Sequence, residues 1–129
     1  MKRLLFFITF SFILNFVYSQ DLTGTWNIDS IKVNGVDAIA NYKDYVLQGV
    51  FQQIEFVDGE NCTLYVDNVK KNGSYIIVNN EITIKTDNEY TYQIDLNQSL
   101  LLRANLSGTD FAGMPVPYEV QMWFNKENK

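Results

Sequence analysis

The chain has 129 residues, with 15 acidic against 10 basic side chains, one cysteine and no histidine. A net charge of −5 argues against DNA, RNA or an anionic membrane surface as a partner. The missing histidine removes the commonest general base and the usual zinc or copper ligand. The single cysteine, Cys62, leaves no internal disulfide, so a hydrophobic core must hold the fold alone.

The chain opens with Met1-Lys2-Arg3 and an apolar run from Leu4 to Val17, broken only by Thr9, Ser11 and Asn15. Two positive charges before roughly 14 mostly apolar residues have the proportions of a signal-peptide core and are short for a membrane span. Val17-Tyr18-Ser19 offers small residues at the −3 and −1 positions, so residues 1–19 are expected to be a leader cleaved before Gln20. The competing reading is an uncleaved anchor. No cysteine lies near the cut, so the sequence predicts an exported protein, periplasmic or extracellular, that is not a lipoprotein and has no membrane span after cleavage. Without Lys2 and Arg3 the ten bases become eight against fifteen acids, a balance of −7. Residues 20–129 are the size of one domain with one modest core.

The first strand is predicted over Thr23 to about Val33. Trp26 and Ile28 share one face while Ile31 and Val33 share the other, so the strand needs a bulge or sharp bend between them. Asn34-Gly35 is a turn pair. Asp37 to Gln48 is the one helix expected: Asp37 caps it, Ile39, Tyr42, Tyr45 and Val46 form its apolar stripe, and Gly49 ends it. From there the period is two. Ile54-Glu55-Phe56 leads through Asp58-Gly59 to the alternating Cys62, Leu64 and Val66. Lys70-Lys71-Asn72-Gly73 is expected to turn the chain into Ser74–Val78, and Asn79-Asn80 to turn it into Glu81–Lys85. Tyr90–Leu96, Ser99–Leu106 and Val116–Phe124 complete the set, the last two separated by a longer loop, Ser107 to Pro115, that Gly108 and Gly113 bracket.

Eight half-apolar strands joined mostly by short turns make an antiparallel meander with two exposed edges unless it closes. The predicted fold is therefore all-β, an eight-stranded antiparallel up-and-down barrel with one short helix after the first strand. At Gly24-x-Trp26 opening the first strand, Gly73-Ser74-Tyr75, Tyr90-x-Tyr92-x-Ile94 and the final Trp123-Phe124-x-Lys126, the chain resembles the lipocalin-like domains, of the small bacterial exported kind. The resemblance implies that Trp26 closes the narrow end of the barrel with a cation over its ring. Gly24, Trp26, Arg103 and Lys126 are thus the candidate closure residues. Arg103 points outward by parity unless the Leu100-Leu101-Leu102 run bulges, so Arg103 and Lys126 stand as equal candidates for that cation.

Tyr75, Tyr90, Tyr92 and Tyr118 fall on predicted inward faces, and buried tyrosines suit an amphiphilic guest because each pairs an apolar ring with a hydroxyl. Tyr42, Tyr45, Phe111 and Met114 are the candidate rim residues if the helix and the long loop share one end. The leading expectation is a monomeric binding protein for a small hydrophobic or amphiphilic ligand. The alternative is a filled barrel that binds another envelope or secreted protein through outward apolar residues such as Ile76, Val78, Leu101 and Trp123. An enzyme using buried tyrosines and Glu119 is the least supported reading: no nucleophile–base motif or phosphate loop is present. Asp58-x-Glu60 and Asp87-x-Glu89 lack the spacing of a calcium loop. No catalytic residue, metal or cofactor is expected. Cys62 reads as a small core residue, and the four Asn-x-Ser/Thr matches read as chance.

Overall fold

A computed structural model describes residues 22–127; the expected leader and its cleavage site lie outside the described residues. The strands are β1 (Gly24–Val33), β2 (Val36–Asp37), β3 (Gln53–Phe56), β4 (Asn61–Val66), β5 (Val69–Val78), β6 (Glu81–Lys85), β7 (Glu89–Leu96), β8 (Leu100–Thr109) and β9 (Pro115–Lys126). Each of β3 to β9 pairs antiparallel with its neighbour in sequence. β1 closes the circle by pairing with both β3 and β9. The result is a closed eight-stranded barrel, and β2 is a short flank folded back on β1 through the Asn34-Gly35 turn.

Alternation puts one face of every strand inside. In β1 the register against β9 shifts between Ile28 and Ser30, leaving Asp29 as the extra residue of a bulge. Before it Trp26 is the buried residue; after it Ile31 and Val33 are, so one strand serves two sides of the curved wall. The inward residues of β6 to β9 continue the pattern, with Ile82, Ile84, Tyr92, Ile94, Leu100, Leu102, Leu106, Val120, Met122 and Phe124 all buried.

Besides the expected Ser107–Pro115 loop, which shortens to 110–114 because β8 runs on to Thr109 and β9 begins at Pro115, two elements differ from the sequence expectation. The helix over Asp37–Gln48 is a single 3-10 turn, Tyr42–Tyr45. Asp37 belongs to β2, although its carboxylate still accepts the Ile39 N–H at 3.2 Å. The predicted stripe is not a buried face either, because Ile39 and Val46 are exposed. So short a segment cannot support an α-helix without one such face to pack. The second difference is at Lys70–Gly73, which is strand, not turn. The chain reverses at Asp67-Asn68, both at positive φ, so that Val66 pairs with Val69 and β5 starts five residues earlier than Ser74. Two adjacent Asx residues tolerate the left-handed backbone a two-residue hairpin needs.

Register sorts the connections into two ends. The start of β1, the end of β9 and the turns at 57–60, 79–80 and 97–99 lie at one end. The segment 38–52, the turns at 67–68 and 86–88 and the loop 110–114 lie at the other. These are the closed end and the mouth.

Candidate functional site

At the closed end the wall is paired on every side. Trp26 is buried, its indole Nε1–H donates to the Leu22 carbonyl at 2.8 Å, and the Lys126 ammonium lies 5.8 Å from its ring centroid. That distance is within cation–π range. Gly24 has φ +127°, and a side chain there would begin 2.9 Å from Lys126 Cε; its absence lets the lysine stem lie across the strand. Arg103 takes no part. The register of β8 is unbroken against both neighbours, so Arg103 stays on the outer face, where its guanidinium donates to Gln93 Oε1 at 3.0 Å. Tyr75 also belongs to this end. Its ring meets Phe56 edge-on at 4.9 Å and its hydroxyl donates to the Asp58 carbonyl at 2.6 Å. Asp58 itself caps the turn: hydrogen bonds from the Asn61 side chain and from the Glu60 and Asn61 N–H groups hold its carboxyl below the usual carboxylate range.

Toward the mouth the wall divides. β7 meets β8 at four positions only, Gln93↔Arg103 to Leu96↔Leu100, while β8 and β9 stay paired as far as Thr109↔Pro115. β1 likewise leaves β3 after Asn27↔Gln53 and continues along β9. The segment leading into β3 is stitched across this division. The Gln48 N–H donates to the Ser107 carbonyl on β8, the Gly49 carbonyl accepts the Tyr92 hydroxyl of β7 at 2.7 Å, and Gln52 accepts from the Ile28 N–H on β1 while its own N–H donates to Tyr65 on β4. Gly49 has φ +93°, and a Cβ there would come within 3.1 Å of Leu106 and 3.2 Å of Tyr90. Both conditions favour glycine. The segment drives Phe51 into the barrel, where it stacks on Phe124 at 5.2 Å and meets Tyr92 edge-on at 6.1 Å. Just before it, Val46 holds φ 49° and ψ 50°. For a β-branched residue this left-handed conformation costs about 1–2 kcal/mol, which the anchored segment around it must offset.

Between Phe51 and the β4–β7 wall lies a cavity of about 450 Å³. Its apolar surface comes from Leu47, Val50 and Phe51 on the segment, Leu64 and Val66 on β4, Ile84 on β6, and the rings of Tyr90 and Tyr92 on β7. Polar groups enter from Lys71 on β5 and from Thr86 and Asn88 at the 86–88 turn. Leu64, Phe51, Ile84 and Tyr92 are buried and expose little surface to the hollow, whereas Lys71 and Thr86 are half-buried and Asn88 is exposed, so its open surface is more polar than apolar. Burial first, and the neighbouring Tyr90 second, push the Tyr92 hydroxyl well above the ordinary tyrosine range. It stays protonated and donates to Gly49. Burial also pushes the Cys62 thiol up to about 11, leaving it a poor nucleophile.

Of the candidate ligand residues, Tyr90 and Tyr92 meet at this cavity. Tyr42 lines a smaller adjoining space of about 200 Å³ with Val46, Leu47 and Val66, and its hydroxyl accepts from Gln52 Nε2 at 2.8 Å. The others lie elsewhere. Tyr45 packs edge-on against Tyr118 at 5.1 Å on the β8–β9 side, and the Tyr118 hydroxyl donates to the Thr109 carbonyl. Phe111 and Met114 project into solvent from the 110–114 loop, which the Asp110 carboxylate braces through the Ala112 and Met114 N–H groups. Tyr75 has the right face but the wrong height, since alternation reports the side of the wall and not the level along it. Lys71 and Phe51 are the residues that sequence reasoning missed. Lys71 shares the parity of Gly73, Tyr75 and Ile77, a signal hidden by reading Lys70–Gly73 as a turn. Phe51 sits in an irregular segment where no period marks it. A second hollow, about 400 Å³ and more open, lies beside the parting of β7 and β8, among Glu81, Tyr92, Gln93, Arg103, Ala104 and Glu119.

A family model described as the lipocalin-like domain matches residues 22–101, more than half of the chain. No curated protein and no solved structure matches it.

Proposed function

The chain belongs to the lipocalin-like domain family, and from that premise we propose that it is an exported binding protein that holds one small hydrophobic or amphiphilic molecule at the mouth of its barrel. The observation that carries this reading is the hollow of about 450 Å³ beside Phe51, open at the mouth and lined by both apolar and polar groups. Its volume falls within the range of small-molecule sites, about 300–1,000 Å³. The basic, then apolar, run at the start of the sequence supports export. An exported protein would meet its ligand in the periplasm or outside the cell.

The test is titration with N-phenylnaphthylamine, a neutral probe that fluoresces in apolar surroundings, together with native mass spectrometry. Saturable uptake of one molecule per chain is expected in the wild type and its loss in Val66→Trp, where an indole from a half-buried rim position fills the cavity. No uptake, or uptake unchanged in Val66→Trp, would overturn the reading. A second reading, a protein-interaction module, draws on the exposed Ile76 and Val78 side chains on the outer face of β5; an empty, non-binding cavity would favour it.

A further inference from the structure

We infer that the mouth of the barrel docks on a zwitterionic lipid surface, and that the loop between β8 and β9 is the part that enters it. The inference goes beyond ligand binding and does not depend on the hollow being occupied. Phe111, at the tip of that loop, is 112% exposed, more open to solvent than in an extended peptide, and Met114 at its base is 60% exposed. On the segment 38–52 at the same end, Ile39 and Val46 are exposed as well. Val46 holds a left-handed backbone that glycine or asparagine would adopt with less strain, and no burial of its own side chain offsets that strain. Apolar side chains gathered in this way at one end mark a contact surface.

The backbone of the loop is already satisfied from within. The Asp110 N–H donates to the Met114 carbonyl and the Gly113 N–H to the Asp110 carbonyl, while the Ala112 and Met114 N–H groups donate to the Asp110 carboxylate. Pro115 has no N–H to satisfy. Unpaired backbone groups are the main obstacle to entering an apolar phase, and here that obstacle is small. The loop is also nearly neutral. Asp110 is the only charged residue between Arg103 and Glu119, and it stands at the loop's base, where lipid head groups would keep it wet. The exposed apolar groups come from two separate segments around one end. A fluid apolar phase takes up both without a matched pocket, and an apolar face that lies in the interface reaches about 5–10 Å into it. The charges at this end decide the kind of lipid. Lys43 and Lys71 each stand 3.3 Å from a carboxylate, Asp67 and Asp87, and Asp44 adds a further negative charge. Anionic lipid attracts clusters of basic residues, and with its cations matched in this way the mouth suits a zwitterionic surface instead.

The experiment measures co-sedimentation of the chain beginning at Gln20 with phosphatidylcholine vesicles. That chain contains the whole described barrel and leaves out the apolar run Leu4–Val17, which would bind lipid by itself. The wild type is expected to partition onto the vesicles, and Phe111→Ser to reduce partitioning roughly tenfold, the scale of returning one aromatic ring to water. Phe111→Leu should keep most of the binding. Because the ring is wholly exposed, Phe111→Ser should leave the urea midpoint unchanged, which separates lost docking from lost folding. Ile76→Ser, on the outer face of β5 away from the mouth, should bind as the wild type does. Mixing phosphatidylglycerol into the vesicles should not strengthen binding. In Phe111→Trp the new indole should shift its emission to the blue on vesicles and be quenched by brominated acyl chains. Failure of the wild type to partition would overturn the proposal and leave the loop tip as a contact for a protein partner. Equal binding of the wild type and Phe111→Ser, or binding gained only with phosphatidylglycerol, would overturn it as well.

Discussion

The two ends of the barrel solve the same problem in different ways. At the closed end, adjacent strands hydrogen-bond to each other all the way round, and Trp26, Phe56 and Tyr75 fill the interior. At the mouth, β7 parts from β8 and β1 from β3, and the segment 47–52 supplies the missing connections from within. The difference teaches where a small barrel can keep space. Eight strands closed on themselves have room for their own side chains and little more. A cavity needs the wall to widen, and widening leaves backbone groups that something else must satisfy. Here that is a segment held at several points by hydrogen bonds and carrying one large side chain, Phe51. Stability therefore belongs mostly to the end that pairs, and open space to the end that divides.

The largest effect should come from breaking the closed end. Trp26→Ala removes a large buried ring, its hydrogen bond to Leu22 and the Lys126 contact. A loss of about 3–5 kcal/mol is expected in urea unfolding. What remains folded should bind ligand with its original preference. A variant that stays stable, or that changes preference while folded, would break the division of labour between the two ends.

Phe51→Ala should cost less, about 2–3 kcal/mol, although the ring is just as buried. Phe51 borders the hollow, so the gap its truncation leaves can open into that space rather than remain a sealed void, which lowers the cavity cost. The larger space should admit bulkier apolar ligands than the wild type accepts. A loss as large as that of Trp26→Ala, with no change in ligand size preference, would show that Phe51 is core like any other residue.

The same contrast explains what could be read from the sequence. The closed end is made of registered strands and tight turns, and its determinants are local. The alternation in Tyr90–Leu96, the parity change between Ile28 and Ile31, and the Gly24-x-Trp26 opening all carry through into the barrel. The mouth depends on residues whose neighbours are distant in sequence. Leu47, Val50 and Phe51 point into the barrel from a segment without regular dihedral angles, so neither helical nor strand periodicity marks them. The Lys71 reading fails for a different reason. Asp67-Asn68 and Asn72-Gly73 are both good turn pairs, and the choice between them is made by pairing of β4 with β5, which places Lys71 opposite Leu64. Height along the wall is also a tertiary property, and this is why Tyr75 and Tyr92, both inward-facing, end up at opposite ends.

Tyr92→Phe is the mildest way to probe the join between the two ends, and pH supplies its control. The hydroxyl holds the Gly49 carbonyl at 2.7 Å. Removing it leaves that carbonyl short of a partner, so Tyr92→Phe should cost about 1–2 kcal/mol at neutral pH. The wild-type hydroxyl resists ionisation because it is buried and stands beside Tyr90. In the unfolded chain it loses its proton near the ordinary value of 10. Below that pH both states are protonated and the contribution is fully present. Above it the unfolded state releases a proton that the folded state retains, so stability falls as pH rises. The phenylalanine variant has no proton to release, and its stability should decline less steeply above pH 10 than that of the wild type, with the gap between them narrowing. Parallel curves in this alkaline range would mean that Tyr92 ionises as freely in the fold as outside it, and that the segment 47–52 does not keep water from the top of β7.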